Sequence, residues 1–283
     1  MKNFTLVLVS LLLLLISSCK KQSSDNIDSA QDNAAFETEY AQIYDVVSDF
    51  ASTDSHTGKT DDFILPNGAR VIFTDSLLSD GDGLVFTIDY GLLDHGGSTK
   101  GIPCRDGRYR AGKIHVAMTD RWSNVPCVVN ITITTADNYY VGNGSTMYQF
   151  SGLKTITRSS ATAYTVEVTN ATLQRDNGTA TWSCNRTVAI TYNAPGGVWD
   201  DEFEMIGTAS GTNKNGMAFT VETLSPLKKI VSLSCLTTFV KGKWQLNSGD
   251  NTITVDYDPD NNEQCDKKVA VTVNGRTRTV EVW

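Results

Sequence analysis

Strict alternation of apolar and polar residues, repeated in many short runs, constrains the fold of this chain more than any other feature. The runs lie from about Phe63 onward, are rich in Val, Ile, Thr and Tyr, and include GLVFTIDYG and NTITVDYD. A period of two buries one face of a strand and leaves the other in water, which is typical of antiparallel sheets. Clusters of Gly, Asn and Asp separate the runs, without the helical crossovers that parallel strands require. We therefore predict an all-β fold over residues 60–283.

The turns and internal repeats predict a large antiparallel meander of repeated hairpins. Asn274-Gly275, between two alternating runs, favours a two-residue type I′ turn. Two blocks 55 residues apart are similar, and their matching segments are YQFSGLKTIT with FEMIGTASGT and YTVE with FTVE. With a gap of four residues, WSCNRT then matches LSCLTT, which places Cys184 opposite Cys235. A second similarity links FTIDYG with ITVDYD, each followed by a turn that contains a cysteine.

The N-terminal residues are typical of an exported lipoprotein. An apolar run of twelve residues extends from Thr5 to Ile16 and is shorter than the roughly 20 residues that span a bilayer. The run leads into Ser17-Ser18-Cys19, which resembles a bacterial lipobox. The resemblance implies a signal peptide over residues 1–18, cleavage before Cys19, and attachment of acyl chains such as palmitate to that cysteine. An ordinary secretory signal that is cut elsewhere is the alternative.

One helix is expected between this anchor and the strands. Residues 19–35 are polar and nearly free of large apolar side chains, so we predict a flexible tether. Residues 36–52 are predicted to form an amphipathic helix, because their large apolar side chains recur with a period near 3.6 residues. These side chains are Phe36, Tyr40, Ile43, Val47 and Phe50.

Charge and cysteine usage exclude several classes of partner and site. The net charge is −8, which argues against nucleic acid and anionic membrane surfaces as partners. Apart from Cys19 the cysteines are Cys104, Cys127, Cys184, Cys235 and Cys265. Their odd number leaves at least one free thiol in an environment that permits disulfides, and the pairing stays open. Since no CxxC spacing occurs, no zinc or redox motif is indicated, and we expect no cofactor.

The loop DYDPDNNEQCD offers candidate metal ligands. Asp256, Asp258 and Asp260 fit the first three ligand positions of an EF-hand loop. However, Asn261 stands where such a loop needs glycine, and Lys267 stands where it needs a bidentate glutamate. We therefore expect a solvated acidic turn, or a partner for the basic segment CRDGRYRAGK.

Two further clusters could contact a ligand. In WDDEFE, the carboxylates of Asp200, Asp201, Glu202 and Glu204 could supply the acid and base of glycoside hydrolysis, and Trp199 could stack on a sugar. In CRDGRYRAGK, the side chains of Arg105, Arg108 and Arg110 could bind an anionic glycan or pair with acidic residues of the protein itself. Nucleophilic catalysis is not indicated, because no GxSxG motif occurs and His115 is expected to face solvent.

Three segments resemble an uncharacterised family of β-rich lipoproteins from Bacteroidota-type bacteria. These segments are CRDGRYRAGKI, DDEFEMIGTASGTNKNGMAFTVETLSPLKK and DYDPDNNEQCDKKVAVTVNG, and the resemblance covers about residues 60–283. It implies an envelope location and a β architecture, without an activity. In bacteria of that type, Ser29 in Asp-Ser-Ala and Ser76 in Asp-Ser-Leu match a short O-glycosylation motif. The acidic C-terminal turn departs from the family, where it is usually shorter and contains glycine.

Together these features predict a lipid-anchored protein of the cell envelope, an outer-membrane lipoprotein that acts as a monomer. Its expected role is that of a non-enzymatic binding or structural module for a glycan, a lipid-like molecule or another envelope protein. One alternative is a glycan-cleaving hydrolase that uses the WDDEFE carboxylates. Another is a carrier of hydrophobic ligands, which would need an apolar hollow of several hundred Å³.

Overall fold

A computed structural model describes residues 24–52, 63–65, 67–77, 80–94, 99–104, 106–192, 201–232, 235, 239–266 and 268–281. The predicted signal peptide and Cys19 lie outside this part of the chain. Within it, no helix combines the length and the apolar character needed to cross a membrane.

The described residues form one α-helix, one short 3-10 helix (Thr135–Asp137) and one large antiparallel sheet, which confirms the predicted fold class. The helix, α1, is Ser24–Ser52. The seventeen strands are β1 (Phe63–Ile64), β2 (Arg70–Asp75), β3 (Leu84–Asp89), β4 (Ile102–Pro103), β5 (Tyr109–Ala111), β6 (Lys113–Met118), β7 (Cys127–Ile133), β8 (Tyr140–Gly142), β9 (Met147–Arg158), β10 (Ala163–Arg175), β11 (Gly178–Tyr192), β12 (Glu202–Thr212), β13 (Ala218–Ile230), β14 (Lys241–Ser248), β15 (Asn251–Asp256), β16 (Lys268–Val273) and β17 (Arg276–Glu281).

The strand order is a meander with a branch at β9. From β9 to β17, each strand pairs with the next one in the chain. On its other side, β9 pairs with β7 through one half of its length and with β8 through the other half. Beyond β7 the sheet continues through β6, β3, β2 and β1. Beyond β8 it continues through β5 and β4.

The sheet curls around α1. Glu39 of the helix contacts Arg110 on β5, and Ser29 contacts Ser248 on β14. Seven strand spacings separate β5 from β14, which is about 34 Å in a flat sheet. Ten helical residues rise only about 15 Å. Because side chains of one helix reach both strands, the sheet must bend towards the helix between them.

The helix begins earlier than the sequence predicts. Helical residues start at Ser24, so the prediction of a flexible tether over residues 19–35 is wrong from that residue onward. The helical turns before residue 36 lack an apolar stripe, but their side chains Ser29, Asp32 and Asn33 are buried. Their burial is stabilised by polar partners on the sheet, which hydrophobic periodicity cannot detect. The amphipathic segment itself is confirmed by its buried side chains Phe36, Tyr40 and Ile43; the side chains of Val47 and Phe50 lie outside the described residues.

Aromatic stacking joins the helix to the middle of the sheet. The Trp182 ring on β11 stacks on Phe36 at 5.5 Å and on Tyr40 at 5.8 Å between centroids. A buried row continues across neighbouring strands in direct register: Val168, Cys184, Ala209, Val221, Leu246 and Ile253. The core therefore lies between α1 and the face of the sheet that it covers.

The structure confirms the predicted hairpin and part of the predicted repeat. Asn274 and Gly275 have φ of 47° and 81° and connect β16 to β17, as a type I′ turn requires. The segments 55 residues apart are β9 and β12, and their equivalent glycines, Gly152 and Gly207, have φ of 151° and 149°. The alignment of Cys184 with Cys235 is wrong, because Cys184 lies on a strand and Cys235 lies in the connection between β13 and β14.

The second repeat reproduces a detailed set of contacts. In each copy a tyrosine N–H donates to a glycine carbonyl, and the preceding aspartate pairs with the lysine that follows that glycine. The pairs are Tyr90–Gly112 with Asp89–Lys113, and Tyr257–Gly242 with Asp256–Lys243. The similarity of FTIDYG and ITVDYD therefore reflects equivalent strand ends in β3 and β15.

One disulfide, Cys235–Cys265, closes a loop with a sequence separation of 30 residues, whereas Cys104, Cys127 and Cys184 are free. We expect the double substitution Cys235→Ser, Cys265→Ser to lower the free energy of unfolding by about 3–4 kcal/mol, because the unfolded chain loses a constraint. Urea denaturation with and without dithiothreitol measures the change. The reductant should destabilise the native chain and leave the double variant unaffected. Equal stability of the native chain in both conditions would contradict the prediction.

Candidate functional site

Alternation along the strands gives the sheet two chemically different faces. On β11 the side chains of Trp182 and Arg186 lie on the inner face, which α1 covers, and both are buried. Their neighbours Ser183 and Asn185 lie on the outer face. A ligand could be bound on either face.

A buried ionic cluster occupies one end of the inner face. The Arg110 guanidinium donates to Glu39 on α1, with Nε–Oε1 at 3.1 Å and Nη2–Oε2 at 3.0 Å. It also donates to both oxygens of Asp106, at 2.9 and 2.8 Å. The Tyr139 hydroxyl donates to Glu39. Burial alone would raise the pKa of Asp106, but the bonds from Arg110 outweigh it and lower that pKa overall.

The predicted ligand contacts in CRDGRYRAGK belong to this cluster. Arg110 is buried and bonded to carboxylates, so its assignment as a ligand contact is wrong. Arg108 keeps 31% of its side chain exposed and lies 3.9 Å from Glu39. Arg105 lies outside the described residues. The basic segment therefore pairs with acids of its own protein, one of the two outcomes that the sequence left open.

Further polar contacts fix α1 along the rest of the inner face. Each joins a helix residue to a strand or turn far away in sequence. They are Asp32–Arg175, Glu37–Arg186, Asn33–Trp182, Ser29–Asn213, Ser29–Ser248 and the bond from Lys154 to the carbonyl of Tyr40. Buried ion pairs add little net stability compared with apolar packing, but they penalise every other register of the helix. The helix therefore fills this face in one position.

The outer face carries a groove of about 530 Å³ that crosses β10 to β14. Nine of its thirteen lining residues have polar side chains: Glu167, Thr169, Ser183, Asn185, Thr208, Ser210, Thr220, Glu222 and Asn247. Eight of them form two rows of cross-strand neighbours. One row, with a carboxylate at each end, is Glu167, Asn185, Thr208 and Glu222, and the other is Ser183, Ser210, Thr220 and Asn247. Within the described part of the chain, the lining contains no lysine, arginine or aromatic residue.

This groove presents hydrogen-bonding groups at regular spacing. Hydroxyls both donate and accept, amides do the same through separate atoms, and carboxylates accept. Adjacent strands place these groups about 4.8 Å apart. Such a surface suits an extended ligand with many hydroxyls. The sequence contains the signal, since polar residues fill the wet positions of five strands, but only the strand register shows that they are adjacent.

The three tryptophans that the structure describes do not add a stacking surface to the groove. Trp182 and Trp244 are buried, and Trp122 packs edge-on against Tyr164 at 5.5 Å between centroids. Trp199 lies outside the described residues. Sugar stacking on a tryptophan therefore has no support from the part of the chain that the structure describes.

In the acidic loop DYDPDNNEQCD, a candidate metal site in the sequence, each of the three candidate aspartates bonds to a different partner. Asp256 pairs with Lys243, and Asp260 pairs with Lys268. Asp258 is buried and accepts the backbone N–H groups of Asn262 and Glu263, at 2.8 and 3.2 Å. The loop is therefore a turn held by ion pairs and backbone hydrogen bonds. Among the described residues, acidic side chains converge instead at Asp75, Asp80 and Asp82.

The carboxylates of WDDEFE are only partly described. Asp201 is buried, and Glu202 pairs with Lys228 on β13 at 3.1 Å. Glu204 lies directly opposite Lys228 in the strand register. Asp200 lies outside the described residues. The two described glutamates thus adjoin the same lysine.

The two predicted glycosylation sites are not accessible in the folded chain. Ser29 is fully buried between α1 and the sheet, where it bonds to Ser248 and Asn213. Ser76 is also buried. The prediction of a glycan on either residue is therefore wrong for the folded protein, because a bulky polar group needs a surface position.

Comparisons with known proteins leave these geometric observations as the basis for function. A scan against protein-family models, a search of curated proteins and a search of solved structures each found no match to this chain.

Proposed function

We propose that this chain is a lipid-anchored envelope protein that binds a glycan in the outer-face groove. The observation that carries the proposal is the lining of that groove, where hydroxyl, amide and carboxylate groups follow two rows across five strands. The volume of about 530 Å³ falls within the range of small-molecule sites. The acyl chains expected on Cys19 would keep this surface at the membrane.

The inner face supports this choice over a hydrophobic-ligand carrier. Phe36, Tyr40 and Ile43 of α1 already occupy the apolar surface that an acyl chain would need. A carrier would have to displace the helix together with its buried ion pairs. The outer groove needs no such rearrangement, since its polar side chains are open to solvent.

The charge of the groove narrows the class of glycan. Glu167 and Glu222 contribute two carboxylates, and no described cation lines the groove. Uronic acids and sulfated sugars would be repelled, whereas neutral sugars and amino sugars would not. We therefore expect neutral or amino-bearing glycans to bind in preference to acidic ones.

A glycan array on residues 20–283, followed by calorimetric titration of the best ligands, tests the proposal. Asn185→Ala and Asn247→Ala each remove donors and acceptors from the groove, and each should weaken binding about fivefold to tenfold, because a lost hydrogen bond costs roughly 1 kcal/mol. Thr279→Ala, on β17, should leave the affinity unchanged. An array without ligands, or ligands whose affinity ignores both asparagine variants, would reject the groove as a glycan site.

A further inference from the structure

A relay, that is, a chain of three hydrogen-bonded side chains, connects the outer face of β3 to the turn after β7. Thr87 Oγ1 lies 3.0 Å from His115 Nδ1, and His115 Nε2 lies 2.8 Å from Asp137 Oδ1. The imidazole keeps 45% of its side-chain surface exposed. A hydroxyl, an imidazole and a carboxylate thus lie in hydrogen-bonded order on an accessible surface.

The fold brings these residues together from distant parts of the chain. Thr87 on β3 and His115 on β6 are direct cross-strand partners. Asp137 ends a 3-10 helix, Thr135–Asp137, that follows β7. Its second oxygen accepts from the N–H and the hydroxyl of Thr134, at 2.6 and 2.7 Å. The carboxylate is therefore held in place independently of the histidine.

The hydrogen-bonding capacity of the three groups determines which of them donates each hydrogen bond. An ionised carboxylate only accepts, so His115 must carry a proton on Nε2 to bond Asp137. In the neutral ring, Nδ1 is then an acceptor, and the Thr87 hydroxyl must donate to it. Partial burial alone would raise the pKa of Asp137, but the bonds from Thr134 and His115 outweigh it and lower that pKa overall, which keeps the carboxylate ionised. This is the polarity that makes an alcohol nucleophilic.

We propose that Thr87, His115 and Asp137 form a catalytic site that hydrolyses carboxylic esters. Thr87 Oγ1 bonds to the acyl carbon while its proton moves to Nδ1 of His115. The bond from the acyl carbon to the leaving alcohol then breaks, and that alcohol takes the proton from Nδ1. Water attacks the acyl-threonine in the same way, so the products are an acid and an alcohol and the enzyme is regenerated.

Lys113 and the outer-face groove lie on the same face of the sheet as these three side chains. Lys113, half exposed, occupies the same face two residues before His115 and pairs with Asp89 at 3.6 Å. From β6 to β10, where the groove begins, there are three strand spacings, about 14 Å. The ester site lies on the same outer face as the groove, but it does not depend on glycan binding there.

Hydrolysis of p-nitrophenyl acetate and labelling by a fluorophosphonate probe test the site in the chain of residues 20–283. We expect turnover above the buffer rate and a covalent adduct that mass spectrometry assigns to Thr87. Thr87→Val and His115→Ala should each lower kcat at least about 100-fold, in the range typical of lost acid–base catalysis. Thr87→Ser should retain activity, since a primary alcohol can replace the secondary one.

Two controls separate catalysis from structure. Thr132→Val changes the other cross-strand neighbour of His115 and should leave kcat unchanged. Asp137 acts through His115 as a positioning residue, so Asp137→Asn should lower kcat with little change in KM while the Tm stays close to native. An adduct on His115 alone, or full activity in Thr87→Val, would overturn the proposal. So would the absence of both turnover and labelling in the folded native chain.

Discussion

A chain that begins at residue 60 is expected not to fold, and a separate peptide of residues 24–52 is expected to restore the fold. Removal of α1 uncovers the apolar surface packed against Phe36, Tyr40 and Ile43, which is worth about 1.5–3 kcal/mol for each side chain. It also strips Arg110 and Arg186 of their helix carboxylates. The combined loss exceeds about 5 kcal/mol and approaches the total stability of a typical domain. Circular dichroism and dye binding to exposed apolar surface measure both outcomes.

Two peptides that are substituted at Glu39 serve as matched controls. A peptide with Glu39→Lys keeps all of the apolar contacts but places a cation against Arg110, so it should fail to restore cooperative unfolding. Glu39→Gln should restore it partly, because an amide can still accept from the guanidinium. If the truncated chain unfolds cooperatively at the native Tm without any peptide, α1 is not part of the folded unit.

The fold class follows from the sequence because each strand carries its own local signal. Alternation decides which face of a strand is buried, and a pair such as Asn274-Gly275 fixes a hairpin without reference to the rest of the chain. The extent of α1 has no such local signal. Asn33 is buried because it accepts from Trp182, 149 residues away, so its environment depends on a contact that no window of sequence contains.

The candidate sites depend on strand register in the same way. The polar residues of the groove occur on separate strands, and their separation in the sequence does not indicate that Asn185 lies beside Thr208 or that Thr208 lies beside Glu222. Thr87, His115 and Asp137 likewise follow no motif spacing. Conversely, the clusters that looked functional as sequence, such as Asp256 to Asp260 and the arginines near Cys104, are charges that the fold pairs internally.

Substitution of Arg110 by methionine is expected to lower the free energy of unfolding by about 3–5 kcal/mol. The change leaves the buried carboxylates of Glu39 and Asp106 without their hydrogen-bonded cation, and only the partly exposed Arg108, 3.9 Å from Glu39, remains nearby. Removal of one partner is the costly way to break a buried ion pair. Urea denaturation at pH 7 measures the loss. Arg278→Met, on exposed β17, makes the same chemical change at the surface and should alter stability by less than about 0.5 kcal/mol.

The neutral triple variant Arg110→Met, Glu39→Gln, Asp106→Asn should recover much of the loss, because it removes the unpaired charges together with the cation. The pH dependence provides a second readout. The folded-state pKa of Asp106 lies below its unfolded value of about 3.9, so this carboxylate stabilises the native chain above that pH and loses its contribution as the pH falls through the folded value. Arg110→Met abolishes the contribution, and the stability gap between the native chain and this variant should therefore narrow below about pH 4. A gap that stays constant from pH 7 to pH 3 would mean that the loss comes from packing of the arginine stem and not from its charge.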